Sequence, residues 1–184
     1  MRHKPVEAVA ATCPILLDDL HKQVDIVGFT DDDAQLQEMA QAAFDHLHGV
    51  NGILNRALVS GQWSQKFDDF SDLRLAIGPV TSIVSISYLD PDGVTQTVPS
   101  ANYNLFEGYG YWSVVKSPST IWPTPMDISG AITVTFQSGH LSIPKPLRSA
   151  ILKHVSSLYK DREEDAIGSK SYRRLVSPWK LTGL

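Results

Sequence analysis

The chain has 184 residues, 42% hydrophobic and 20% charged, a composition that suits one compact domain, or one domain with a modest inserted module, around a sizeable core. No apolar run approaches the length of about 20 residues that a membrane helix needs, and the basic start MRHKPVEAVA is interrupted by Pro5 and Glu7 and leads into no extended apolar core, which argues against a secretory signal. The net charge of −4 is uneven: residues 1–60 carry four basic and nine acidic side chains, residues 61–140 three and seven, and residues 141–184 nine and four.

In chain order, a short amphipathic segment over roughly residues 15–24 comes first, just after Cys13, the chain's only cysteine. A single cysteine excludes an internal disulfide and a cysteine-rich zinc site, and fits manufacture in a reducing, intracellular place. Its neighbour Pro14 and apolar setting make it a packing residue. The clearest helix follows. Thr30 with Asp33 loosely fits a capping box, and Asp31, Asp32 and Asp33 suit the positive end of a helix dipole. Leu36, Met39, Ala40, Ala43, Phe44, Leu47 and Val50 recur at three- and four-residue spacing, so one face is apolar. Gly49 and Gly52 predict a stop or kink between about residues 50 and 57.

From Gln62 to Gln137 the period shortens to that of strands. Trp63, Gln65 and Phe67 share one face; Ile83, Val84, Ile86 and Tyr88 alternate in part; Ile132, Val134 and Phe136 alternate cleanly. Gly78-Pro79 leads into the apolar run Val80 to Tyr88, and Asp90-Pro91-Asp92-Gly93 then predicts a tight turn, because proline presets one backbone angle and glycine accepts positive φ. YNLFEGYGYWSVV reads as two strands around a glycine turn, and SPSTIWPTPMDISG as a proline-rich loop. The helical period returns after Pro144-Lys145-Pro146, with Leu147, Ile151, Val155, Leu158 and Tyr159 on one face, and DREED ends it. Gly168 and Ser169 open a flexible basic arm, in which Lys170, Arg173, Arg174 and Lys180 occur with no acid from Ala166 onward. Such polarity suits docking of one end on an acidic surface or on nucleic acid. The expected fold class is α+β: a bundle of N-terminal and C-terminal helices with an inserted antiparallel sheet or sandwich. Its parts are residues 1–60, the β module 61–140, a helix over 141–167 that packs on the N-terminal helices, and the arm 168–184.

Chemistry is sparse. His46 and His48 lie two apart on a helix and point to different sides, which is not metal-ligand spacing. Asp68, Asp69 and Asp72 sit in an acidic loop with nothing to set a separation for acid–base work. GYGYW lacks the third glycine and the following helix of a dinucleotide site, and no phosphate-binding loop, nucleophile elbow or HExxH occurs. No cofactor, metal or catalytic residue is assigned, and the chain is read as a non-enzyme. Trp63 and Trp112 fall in strands. Trp122 and Trp179 each adjoin a proline and are either local packing or anchors between chains, where large rings supply much of the binding energy.

The order of these pieces resembles the head–tail connector (adaptor, head-completion) proteins of tailed bacteriophages, prophages and gene transfer agents. DDDAQLQEMAQAAFDHLHGVNGILNRALVSGQW resembles the family's acidic-capped helix, turn and Trp-bearing strand. LAIGPVTSIVSISYLDPDGVTQTVPSANYNL resembles its strand pair. IWPTPMDISGAITVTFQSGH with IPKPLRSAILKHVSSLYKDREE, and the terminal LVSPWK, resemble its ending. The resemblance covers about residues 25–180; residues 1–25 match poorly and their role stays open, and GVNGILNRAL replaces a more compact turn. It implies a structural role without a reaction: a ring, commonly of twelve copies, below the portal of a virion, made in the bacterial host cytoplasm, which extends the DNA channel and carries the tail or stopper. It also implies that the arm reaches the portal, through Lys170, Tyr172, Arg173, Arg174, Leu175, Pro178, Trp179 and Lys180. Asp90, Pro91, Asp92, Gly93 and Trp122 are the residues expected to touch a neighbouring subunit or the tail. The expected partners are therefore further copies of itself, a portal protein, a tail or stopper protein and, without sequence preference, DNA; a membrane is not among them. Two other readings stay open: a nucleic-acid-binding module using the basic tail, and a hydrolase using Asp68, Asp69 or Asp72.

Overall fold

A computed structural model describes residues 3–8, 10–26, 28, 30–160 and 166–181. The chain forms two compact units, Met1–Ala10 with Val59–His140, and Ala11–Leu58 with Leu141–Gly183. Among the described residues, four α-helices and two antiparallel sheets make it a mixed α+β protein.

The first unit holds all the strands: β1 (Val6–Glu7), β2 (Gly61–Phe67), β3 (Leu73–Leu75), β4 (Val80–Leu89), β5 (Thr95–Thr97), β6 (Tyr103–Gly108), β7 (Tyr111–Lys116) and β8 (Ile132–Ser138). One sheet has the order β1-β2-β8-β4-β5 and the other β3-β7-β6. Strand β8 is central in the larger sheet, with Trp63 opposite Phe136 on one side and Ile83 opposite Phe136 on the other. Its alternation is as the sequence predicts: Ile132, Val134 and Phe136 are buried, and so are Trp63, Gln65 and Phe67 across from them. Strand β4 alternates only in part because its register against β8 shifts twice. Val80 and Ser82 face consecutive β8 residues, as do Ile83 and Ser85, so Thr81 and Val84 are extra residues and both are exposed.

Gln65 is a polar residue inside this apolar face. Its amide oxygen accepts the N–H of Ala76 at 2.9 Å and its amide nitrogen donates to the carbonyl of Arg74, so a strand of the larger sheet holds the backbone beside β3 of the smaller one. The predicted turn after β4 forms as read. Ser87, Tyr88 and Leu89 pair with Thr97, Gln96 and Thr95, and Gly93 takes φ +78°.

The second unit holds α1 (Leu17–Val24), α2 (Asp33–Asp45), α3 (Lys145–Lys160) and α4 (Lys170–Val176), with α3 packed on the other three. Its core takes Leu20 and Val24, then Leu36, Ala40, Ala43 and Phe44, then Leu147, Ile151 and Val155. Leu158, expected on the same stripe, is 42% exposed. Helix α2 ends at Asp45 and not between residues 50 and 57. The apolar period runs on to Leu47 because the chain doubles back there: the N–H of Gly49 (φ +76°) bonds the carbonyl of Arg56, and a Cβ on Gly52 would lie 2.5 Å from the Leu47 and His48 carbonyl oxygens. The acids before α2 do not cap it through their side chains either. Asp33 pairs with His21 of α1 at 2.6 Å, and Asp32 accepts the Tyr159 hydroxyl of α3 at 2.6 Å. DREED, read as the end of α3, lies outside the described residues.

Gly139 follows β8 at φ +115°, a region that favours glycine, and a Cβ there would stand 1.9 Å from the Val59 carbonyl oxygen. Its N–H and the Ser138 hydroxyl both donate to the Pro79 carbonyl. Gly139→Ala is therefore expected to cost about 2–3 kcal/mol, through backbone strain plus overpacking. A chemical-denaturation curve with an unchanged midpoint would contradict this account of the strand end.

Candidate functional site

The residues singled out in the sequence fall into two groups. In the first, Asp90 organises the β4–β5 turn. One carboxylate oxygen accepts the N–H groups of Asp92 (3.1 Å) and Val94 (2.9 Å), and the other accepts the Gln96 side-chain amide at 3.0 Å. The Gln96 amide, then the Val94 N–H, hold the Asp90 carboxyl below its ordinary pKa. Pro91, Asp92 and Gly93 are exposed at the tip. Trp122 packs away from solvent on one side: its ring stacks on Phe70 at 4.7 Å, and Phe70 in turn meets Tyr88 edge-on at 5.9 Å. That half-buried stack gives Trp122 a packing partner within its own unit.

The second group is the C-terminal segment. Residues read as a flexible arm contain α4, whose N-terminus is capped by Ser169 accepting the Tyr172 N–H. Tyr172, named from sequence among the arm residues expected to reach the portal, is 1% exposed and meets the His154 ring edge-on at 6.1 Å. Val176 is buried beside it in the same unit. Beyond α4 the chain stays attached: the Trp179 carbonyl accepts Arg56 Nε at 2.5 Å, and the Leu181 N–H bonds the Leu54 carbonyl. Burial lowers the Arg56 pKa. Lys170, Arg173, Arg174, Pro178 and Lys180 are exposed, while Leu175 and Trp179 are half-buried. This leaves a cationic surface on a folded base. The base itself was not legible, because its partners His154 and Arg56 are remote in sequence.

Two of the carboxylates weighed for acid–base work, Asp68 and Asp69, have local duties. Asp68 accepts His3 Nε2 at 3.0 Å, the Ser129 hydroxyl at 3.0 Å and the Gly130 N–H at 2.7 Å. Serine, histidine and aspartate thus meet, but the Ser129 hydroxyl and the Asp68 carboxylate both lie against the same nitrogen of His3. A relay needs the carboxylate on one ring nitrogen and the hydroxyl on the other, so this trio is a clamp on the N-terminal segment. Asp69 accepts the Ser71 hydroxyl and N–H, and these bonds lower its pKa, the opposite of a carboxyl poised to give up a proton near neutrality. The helical unit has a cleft of about 550 Å³ beside α1 and α2, lined by Cys13, Ile15, Leu20, Ala40, Gln41 and one carboxylate, Glu38, among others. Burial, the largest influence on Cys13, raises its pKa, so the group is mostly thiol and not thiolate at neutral pH. Among the described residues no three histidine, cysteine or acidic side chains are placed to hold a metal ion.

Among solved structures, chains of gene transfer agent particles are similar to this one in fold. A chain in the neck of an empty particle, determined with C6 symmetry, superposes with a TM-score of 0.78 at 20% identity, over 99% of this chain and 97% of that one. A chain of a native gene transfer agent virion gives 0.75 at 18%, over 98% and 96%. A chain in the neck of a native particle, determined with C12 symmetry, gives 0.72 at 19%, over 99% and 97%. This chain shares their fold. No protein-family model and no curated protein matches it in sequence.

The Asp90 turn yields a pH signature. A carboxyl whose folded pKa lies below its unfolded value of about 3.9 adds stability that is complete above that value and is lost as pH falls through the folded pKa. Relative to Asp90→Ala, the wild-type chain should therefore keep a constant thermal advantage from pH 7 to 5. That advantage should shrink as the pH falls below about 4; one that persists undiminished at pH 2 would contradict the charged-acceptor geometry.

Proposed function

We propose that this chain is a structural head–tail connector of a phage-like particle. Copies form a ring, commonly of twelve, below the portal; the ring extends the DNA channel and carries the tail or stopper. The observation that carries this reading is fold identity over nearly the whole length with chains in the necks of gene transfer agent particles, solved with C6 and C12 symmetry. The reading also suits the contacts of several carboxylates: Asp90 holds a turn, Asp68 holds the Ser129–Gly130 segment, and Asp32 holds the Tyr159 hydroxyl of α3. Connectors work by assembly and need no reaction. The place of action is the neck of the virion, after manufacture in the host cytoplasm.

Within this proposal the portal contact lies on the exposed cations Lys170, Arg173, Arg174 and Lys180 with Leu175, Pro178 and Trp179 beside them, while Tyr172 acts from the core as their support. The tip Pro91–Gly93 is the exposed surface for a tail or neighbour, and Trp122 stiffens its own loop through Phe70.

The folded base changes the appropriate test. Removing residues 168–184 would strip Tyr172 and Val176 from the core, so the test must keep them. Arg173→Glu with Arg174→Glu alters exposed positions only and should leave the thermal midpoint within about 2 °C. Its affinity for purified portal protein, by sedimentation or interferometry, should fall at least tenfold, about 1.4 kcal/mol. Unchanged affinity would contradict the portal role of this surface. The same four cations also favour a second reading, a nucleic-acid-binding module. Tight binding of free duplex DNA without portal, weakening steeply with salt, would support it.

A further inference from the structure

The hairpin between β6 and β7 carries an aromatic side chain with no place in its own fold. Tyr109 is fully exposed, at the tip of Gly108-Tyr109-Gly110-Tyr111. The two glycines make the tip. Gly110 takes φ +77°, and Gly108 leaves room for the Tyr111 ring, which a Cβ would meet at 2.3 Å. Tyr111 is thereby laid back along the hairpin, with Phe106 at 6.1 Å and the Arg74 guanidinium 4.8 Å from its ring. Phe106 is itself 45% exposed. Arg74 has no acidic partner among the described residues, and its Nε lacks a hydrogen-bond acceptor. Tyrosine, phenylalanine and arginine gathered around a projecting ring have the composition of an interface anchor.

The helical unit offers the complementary feature. Its cleft has a floor of Ile15, Leu20 and Ala40, and its volume of about 550 Å³ exceeds that of an aromatic ring. One wall is fixed by Gln41, whose side chain accepts the Cys13 N–H at 2.8 Å and donates to the Ala11 carbonyl at 3.1 Å. Glu38 lines the cleft and Asp45 accepts the Gln41 side-chain amide at 2.9 Å, so two carboxylates without a cationic partner among the described residues stand beside it, opposite in sign to Arg74. A cyclic ring needs two different faces on one subunit, each fitting the other face of a neighbour.

We propose that the Tyr109 tip of one copy inserts into the α1–α2 cleft of the next, with Arg74 placed against the acidic helices of that neighbour. This inference rests on the ring reading above and specifies one contact of the ring. The partner is a second copy of this chain and not nucleic acid, since the hairpin carries Glu107 beside its tip and its one cation, Lys116, at the opposite end, which gives phosphate no cation of the hairpin to bind at the tip.

Cys13 lies in the cleft and is the chain's only cysteine, so Tyr109→Cys supplies the one further thiol that a cross-link needs. On full-length chains assembled on portal rings, mild oxidation should give a ladder of covalent oligomers in which peptide mapping joins positions 13 and 109 of different copies. Adding Cys13→Ser should abolish the ladder. Tyr109→Ala should raise the concentration needed for assembly at least tenfold, and Tyr109→Phe should stay within about twofold. Rings that form without the 13–109 bond, or with bonds only between two thiols at position 109 or within one chain, would overturn this contact and leave the ring reading standing. Failure of the wild-type chain to form rings on the portal would overturn both.

Discussion

The β unit depends on the central position of β8. All seven of its residues pair with β2 on one side, and β4 follows it along the other from Val80 to Tyr88. Its inward side chains Ile132, Val134 and Phe136 are fully buried, each contributing about 1.5–3 kcal/mol by leaving water. Its two neighbours precede it in the chain by more than forty residues, so the larger sheet is closed by its last strand. The shape of everything around it follows: β4 bulges to keep pace, Ser138 and Gly139 clasp Pro79, and Gln65 links across to the β3 segment. A rigid module of this kind can present a turn and a hairpin tip at fixed positions.

In the helical unit α3 holds the corresponding place. It carries Leu147, Ile151 and Val155 into the core and touches α1, α2 and α4. Polar contacts surround that packing: Arg148 with Asp19 at 2.5 Å, Lys160 with Asp25 at 2.8 Å, and Tyr159 with Asp32. The two ion pairs are partly exposed, and such pairs contribute about 0–1 kcal/mol each. Burial therefore sets the stability, and the charged pairs orient the helices. Because α4 is anchored through Tyr172 and Trp179 is tied to Arg56, the cations Arg173 and Arg174 are displayed from a stable surface. Fewer degrees of freedom remain to be lost when that surface binds a partner.

Much of this was legible in the sequence wherever local chemistry decides. The alternation of Trp63, Gln65 and Phe67, the clean period of β8 and the Asp90–Gly93 turn each follow from side-chain period or backbone preference, and all formed as read. The misreadings share one cause, which is competition from distant partners. Asp33 has the spacing of a cap but is taken by His21, and Asp32 by Tyr159. Leu47 continues a helical stripe that the backbone has already left, because Gly49 and Arg56 pair in its place. Tyr172 falls in a segment expected to be a flexible arm, yet it is buried against the His154 ring of α3. The partial alternation of β4 was read correctly, and its cause, a register shift at Val84, needs the pairing with β8 to be seen. The candidate surfaces were partly visible, as charge and turn chemistry; the folded base beneath the cations and the anchored aromatic tip were not.

The central claim is that this fold works as a ring on a portal, and imaging tests it most directly. Purified portal protein mixed with an excess of the chain should show, by single-particle electron microscopy, a second ring stacked coaxially on one end of the portal ring, continuing its channel, with twelve subunits. Portal rings that stay bare while the chain remains monomeric, at concentrations well above those expected for binding, would contradict the account.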